Sequence, residues 1–167
     1  MDVRPDDGQL AVKCRMPSTI AITRRLEFDA GHRLPNHKSQ CRNIHGHRYA
    51  LEITLSSEVI HEEGAPDDGM VMDFADIKRI ASEKLVDLWD HAFLVYRGDK
   101  VMVDFLAAIS GHKTVVLDVV PTAENLVEVA FGILKDAYRD RFGHVLKLSC
   151  VRLYETPNCW ADAIAGN

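Results

Sequence analysis

Two runs of period-two alternation, joined by a loop dense in histidine, constrain this chain more than any other feature. In the first run Ile20, Ile22, Leu26 and Phe28 share one parity, interrupted by Arg24, while Thr23, Arg25, Glu27 and Asp29 hold the other. In the second, Tyr49, Leu51, Ile53 and Leu55 alternate with Glu52, Thr54 and Ser56. Successive side chains of a strand point to opposite faces, so both runs read as half-buried strands, the first ending near Gly31. Between them lies the loop from Leu34 to Ile44, and His32, His37, His45 and His47 fall within sixteen residues.

His45 and His47 stand two apart where the chain enters the second strand, so both imidazoles project from one face. If the two strands pair as an antiparallel hairpin, the end of the first lies beside the start of the second and His32 joins them. Three neutral imidazoles suit a zinc ion, and three protein ligands with a fourth position open is the pattern of a catalytic zinc. Cys41 has ligand-like spacing too, and a set of one cysteine and three histidines would make a closed structural site; spacing is compatible with either arrangement. Arg42 and a nearby metal would also favour the Cys41 thiolate, the form that acts as base or nucleophile.

After the turn-rich stretch 63–69 the apolar period changes to 3.6, with Phe74, Ile77, Ala81, Leu85 and Leu88 on one face and Asp73 as N-cap. A second amphipathic helix starts from Thr122 as N-cap, carries Leu126, Val129, Ala130, Ile133 and Ala137, and stops at Gly143. Between them, 104–110 reads as a short helix and 115–120 as a buried strand or extended connection. A last strand runs from about Leu146 to Glu155, with a short tail after Pro157. Strand, strand, helix, helix, strand without βαβ alternation predicts an α+β protein whose helices cover one face of a mainly antiparallel sheet. Residues 1–17, broken by Pro5, Gly8 and Pro17, are expected to form a flexible extension to a single domain over 18–167.

The 167 residues carry 20 Lys plus Arg against 25 Asp plus Glu, a net charge of −5 without a basic run, which argues against nucleic acid as a partner. No apolar stretch is long enough for a membrane span or signal peptide, so a cytoplasmic protein is expected. Without a CxxC pair, the four cysteines are no disulfide framework in a reducing compartment. Two further groups bear on chemistry. Asp90 directly precedes His91, and a carboxylate that faces an imidazole holds its tautomer for acid–base work, although sequence neighbours do not always face each other. Glu155 ends the last strand, where a carboxylate can take a flat guanidine-like edge through paired hydrogen bonds.

The segments Phe28-Asp29-Ala30-Gly31-His32-Arg33-Leu34, Cys41-Arg42-Asn43-Ile44-His45-Gly46-His47, Asp73-Phe74, Asp90-His91, Pro121-Thr122-Ala123-Glu124-Asn125 and Tyr154-Glu155-Thr156 occur in one order. Together they resemble the 6-pyruvoyltetrahydropterin synthase family, most closely its bacterial 6-carboxytetrahydropterin synthases of the queuosine pathway. The resemblance implies the tunnelling fold (T-fold): an antiparallel four-stranded sheet with two helices on one face, closed into an oligomeric barrel. It implies a homohexamer, a dimer of trimers, with active sites at subunit interfaces.

It also implies roles. His32, His45 and His47 correspond to zinc ligands, Cys41 to the proton-abstracting residue, Asp90 and His91 to a proton relay, and Glu155 to the carboxylate that anchors the pterin. Thr122 and Glu124 fall where the pterin pocket continues. The implied substrate is 7,8-dihydroneopterin triphosphate, with Arg33, His37, Lys38 and Arg42 as the cations nearest its phosphates. The implied reaction is a zinc-dependent lyase step that releases acetaldehyde and triphosphate. Two alternatives are a pyruvoyl-forming synthase that eliminates triphosphate only, and a noncatalytic zinc-dependent pterin-binding module. Two departures stand out: Ala92-Phe93-Leu94 leads to Val95 where the family commonly has Leu-Asn, and 96–120 is longer than in compact members. His61, His112 and His144, with Cys14, Cys150 and Cys159, are read as background.

Overall fold

The structure, a computed structural model, describes residues 18–166; the expected extension 1–17, including Cys14, lies outside them. The two alternating runs form one long hairpin. Strand β1 (Ile20–His32) pairs antiparallel with β2 (His45–Ser57) along thirteen residue pairs, from Ile20 opposite Ser57 to His32 opposite His45. In this register Leu26, Phe28 and Ala30 share a buried face with Tyr49, Leu51, Ile53 and Leu55, and the opposite face is polar.

Helix α1 (Phe74–Ala81) starts from Asp73, whose carboxylate accepts the Ala75 N–H at 2.7 Å. It continues through a π-helical turn, Ser82–Val86, into the short α2 (Asp87–Trp89). The widened turn re-phases the helix, so that Leu85, Val86 and Trp89 all reach the core. Phe74 and Leu88, expected on the buried face, are instead exposed: the first lies at the helix start and the second gives its place to Trp89. Helix α4 (Ala123–Phe142) is capped by the Thr122 hydroxyl, which accepts the Asn125 N–H at 3.3 Å, and ends at Gly143 with φ +66°. Its buried stripe is Leu126, Val127, Ala130, Leu134 and Tyr138, with Val129, Ile133 and Ala137 at the flank. The Tyr138 hydroxyl donates to Ile77 O at 2.9 Å and ties α4 to α1.

The sheet has six strands, not four, in the order β4 (Thr114–Leu117), β3 (Ala92–Tyr96), β1, β2, β5 (Lys147–Thr156) and β6 (Cys159–Ile164). The antiparallel part is β1, β2, β5 (Lys147–Thr156) and β6 (Cys159–Ile164). Strand β6 is the tail after Pro157, and its Ala161 and Ala163 pack against the core. Beyond β1, β3 (Ala92–Tyr96) and β4 (Thr114–Leu117) add in parallel, with α3 (Lys100–Ala107) between them. This addition accounts for both departures from the family pattern. Val95 is 1% exposed and packs with Phe93, Met102 and Leu106 in a second apolar cluster, so an apolar residue fits where the family places a polar one.

One buried ion pair pins the addition to the hairpin. Asp99, the N-cap of α3, takes Arg33 Nε at 2.6 Å and a second guanidinium nitrogen at 2.7 Å. Arg33 therefore neutralises a carboxylate that is 6% exposed and holds it below the usual carboxylate range. Truncating Arg33 to Ala leaves that charge buried without its partner and should lower stability by about 2–3 kcal/mol. Because the Asp99 value is depressed, the pair's contribution is full above the ordinary carboxylate pKa of about 4 and is lost as pH falls through the depressed value. Denaturant midpoints of wild type and Arg33→Ala should accordingly converge in acid; a pH-independent gap would contradict this account.

Candidate metal and pterin site

The core-facing side of the hairpin carries past its last apolar pair into the histidines. His32 continues the parity of Leu26, Phe28 and Ala30, and His45 and His47 continue that of Tyr49 and Leu51. Their ligand-type nitrogens lie within 4.8 Å of one another, with ring centroids 4.5 to 5.1 Å apart. Two glycines permit this closeness. A Cβ on Gly46 would stand 2.8 Å from the Ala30 carbonyl oxygen, and one on Gly31, its cross-strand partner, 2.7 Å from the Phe93 ring. A larger residue at Gly46 would force the strand ends apart, and one at Gly31 would displace the Phe93 ring.

Hydrogen bonds fix which nitrogen faces inward in two of the three rings. His32 Nδ1 lies 2.8 Å from Pro121 O and His45 Nδ1 2.8 Å from Asn43 O. A carbonyl only accepts, so Nδ1 carries the proton in both rings and Nε2 presents its lone pair. His32 is fully buried, yet its Nε2 has no partner, and neither does His47 Nε2. Burial also lowers the pKa of both rings, His32 and His47, favouring the neutral form that binds metals. Preset tautomers, orphaned inward nitrogens and neutral rings fit a zinc-type cation. Among the described residues, the Cys41 thiol is outside this cluster.

Glu155 approaches from β5. Its Oε1 lies 3.5 Å from His32 Nε2 and 3.8 Å from His47 Nε2, beside the buried Tyr49. Burial, and secondarily the Glu155 charge, raises the pKa of the Tyr49 phenol, which stays protonated. Asp90 and His91 do face each other: Asp90 Oδ2 is 2.9 Å from His91 Nδ1, and Oδ1 accepts the Asp29 N–H at 3.0 Å. This is possible because His91 adopts φ +57°, a conformation that costs a side-chain residue about 1 kcal/mol. The bond from His91 N–H to Asp29 O, at 2.6 Å, holds it there. The Asp29 N–H and, next, His91 keep the Asp90 carboxyl below its ordinary range.

A cleft of about 570 Å³ opens beside the hairpin end, walled by His45, His47, Arg48, His91, Phe93 and His112. Within the size range of small-molecule sites, it brings His91 together with two of the clustered histidines. Cys41 occupies the loop above the hairpin, where its carbonyl accepts the Leu34 N–H at 2.8 Å and its side chain is half-buried. Thr122 serves as a helix cap, and Glu124 lines a separate cavity against β6. Of the four cations expected near a phosphate chain, Arg33 is committed to Asp99. Lys38 and Arg42 are exposed and enter none of the ion pairs among the described residues, and His37 accepts the Ser39 N–H. His112, read as background in the sequence, is part of the cleft wall. No sequence pattern announces the two backbone carbonyls that set the tautomers, whereas Tyr49 carries a signal, as the next residue of matching parity after His47.

The family model for 6-pyruvoyl tetrahydropterin synthase matches residues 21–165. The chain belongs to this family. A 6-carboxy-5,6,7,8-tetrahydropterin synthase of Rickettsia bellii is 36% identical over 86% of this chain and 99% of its own length. Among solved structures, an uncharacterized protein of Wolinella succinogenes matches with a TM-score of 0.73 at 21% identity, over 89% of this chain and 99% of that one. The 6-pyruvoyl tetrahydropterin synthase of Caenorhabditis elegans matches with a TM-score of 0.62 at 25% identity, over 92% and 100%.

Removing one ring should break the site without unfolding the sheet. His32→Ala is expected to lower zinc affinity by more than about a hundredfold, beyond the loss typical of removing a group that only orients a ligand, as measured by competition with a chromogenic chelator. Unchanged affinity would mean that the three rings do not share one ion.

Proposed function

We propose that this chain is a zinc-dependent lyase that converts 7,8-dihydroneopterin triphosphate to 6-carboxy-5,6,7,8-tetrahydropterin, releasing acetaldehyde and triphosphate, in the queuosine branch of 7-deazapurine synthesis. On this reading it works in the cytoplasm as a homohexamer with sites at subunit interfaces. The observation that carries it is the convergence of His32, His45 and His47, with inward-facing Nε2 atoms, on the same spot as Glu155. The name of the Rickettsia bellii relative supports the carboxy-forming outcome.

A zinc ion held by the three Nε2 atoms would supply Lewis acidity toward the oxygens of the substrate side chain. The protein's own groups do the rest. Glu155 accepts paired hydrogen bonds from the amino-pyrimidinone edge of the pterin, a recognition that a cation at this position would repel. Cys41, as thiolate, takes a side-chain proton. Asp90 holds the Nδ1 proton of His91, so that His91 Nε2 accepts or returns a proton at the cleft wall. Lys38 and Arg42 remain available for the phosphates, whereas Thr122, as a helix cap, and Glu124, in its separate cavity, take no part in this reading.

Incubation of the zinc-loaded protein with 7,8-dihydroneopterin triphosphate should yield acetaldehyde and triphosphate in equal amounts. A pyruvoyl pterin without acetaldehyde would place the chain with the pyruvoyl-forming members, and no turnover at full zinc occupancy would make it a binding module. Cys41→Ala should keep the metal and lose at least about a hundredfold in kcat, the usual scale of a lost acid–base group. Loss of zinc instead would make Cys41 a ligand.

A further inference from the structure

Four buried side-chain atoms lack a hydrogen-bond partner among the described residues: Arg24 Nε, His32 Nε2, His47 Nε2 and the Tyr49 hydroxyl. Arg24 sits opposite Ile53, far along the hairpin from the histidines. The other three meet at one place. A metal accounts for the two imidazole nitrogens, because each offers a lone pair inward. It does not account for Tyr49, whose phenol is a donor in need of an acceptor.

Leaving a buried hydroxyl unpaired is destabilising, and a phenylalanine would fill the same space without that cost. The ring already has the contacts of a phenylalanine: it stacks on Phe28 at 5.2 Å and meets the edges of His32 and His47 at 6.0 and 5.7 Å. Packing therefore explains the ring but not its oxygen.

The complement of that oxygen is close by. Ala50 pairs with Tyr154 and Leu51 with Leu153, so Tyr49 and Glu155 are cross-strand neighbours on the same face. Among the described residues no N–H or O–H group donates a hydrogen bond to Glu155. The nearest nitrogen, His32 Nε2, presents a lone pair because its Nδ1 proton is committed to Pro121 O. An acceptor without a donor and a donor without an acceptor thus share the floor of the site.

Resting on the pterin reading above, we infer that Tyr49 is a positioning residue whose hydroxyl donates to Glu155 when the pterin is bound, fixing the plane of the carboxylate. Each carboxylate oxygen has two lone pairs, so the hydroxyl takes one and leaves one on each oxygen for the paired donors of the pterin edge. An anchored carboxylate needs no ordering when the ligand arrives, which lowers the cost of binding.

The test uses the zinc-loaded full chain, with 7,8-dihydroneopterin, which lacks phosphates, as a probe whose binding is measured by titration calorimetry. Tyr49→Phe should keep zinc content and raise the probe's Kd about tenfold, the loss of about one hydrogen bond to a charged group. In turnover the defect should fall on KM rather than kcat. The apo variant should melt at the same temperature as wild type or higher, since an unpaired hydroxyl has been removed. On a Glu155→Gln background the same substitution should change Kd less than about twofold, because the two groups act through one contact. An unchanged Kd in Tyr49→Phe, or full additivity in the double variant, would overturn the inference and leave Tyr49 a packing residue. Failure of the wild-type protein to bind the probe would instead bring down the pterin reading, and this one with it.

Discussion

The antiparallel register of β1 on β2 is the constraint on which the rest of the molecule depends. Opposing His32 to His45 and Gly31 to Gly46 sets three things together: the parity that buries Leu26, Phe28, Tyr49 and Leu51, the meeting of three imidazoles, and the close approach that only glycine allows. A slip of one residue would turn every core side chain to the polar face and scatter the histidines at the same moment. Core and site therefore share one specification. A metal bound at the hairpin end would stabilise the very pairing that buries the core, and the core in turn holds the rings in place before any ion arrives.

Local departures from ideal structure gather at that same end. The unpaired inward nitrogens of His32 and His47, the unpaired Tyr49 hydroxyl, the left-handed His91 and the paired glycines all lie within a few residues of it. Elsewhere the departures are scattered singly, at the orphaned Arg24 Nε and the π turn of α1, while Asp73, Asp99 and Thr122 cap their helices through side-chain oxygens and Gly143 ends α4. Several unfavourable local choices gathered where ligand-type groups converge are the mark of a site maintained for its chemistry.

The same distinction separates what could be read in the sequence from what could not. The hairpin and the three-histidine cluster were legible because period two and parity are local properties, and an antiparallel return brings the strand ends together. The strands β3, β4 and β6 were hidden for different reasons. Ala92 to Val95 is buried on both faces and has no alternation to show, β4 is only four residues long, and β6 is a half-exposed edge strand whose partner lies in β5. The phase of α1 was misjudged because a π turn inserts an extra residue that no periodic pattern announces. Whether Asp90 faces His91 depended on one backbone angle, and whether Arg33 was free depended on a carboxylate sixty-six residues away.

That last pairing changes the electrostatic picture of the proposed substrate site. A chain of net charge −5 that takes a triphosphate must gather its cations locally. Two of the arginines nearest the histidines are already spent: Arg33 is bound to buried Asp99, and Arg48 lies 3.0 Å from Glu27. Their charges are balanced within the sheet and add little field at the cleft. Unbalanced positive charge then remains on Lys38 and Arg42, both on the loop that carries Cys41. One loop would thus hold the phosphates and deliver the thiolate. Binding of the phosphate chain would brace the hydrogen-bonded turn that carries Cys41 from its exposed side. In this arrangement the part of the substrate that does not react supplies the energy that organises the part of the protein that does.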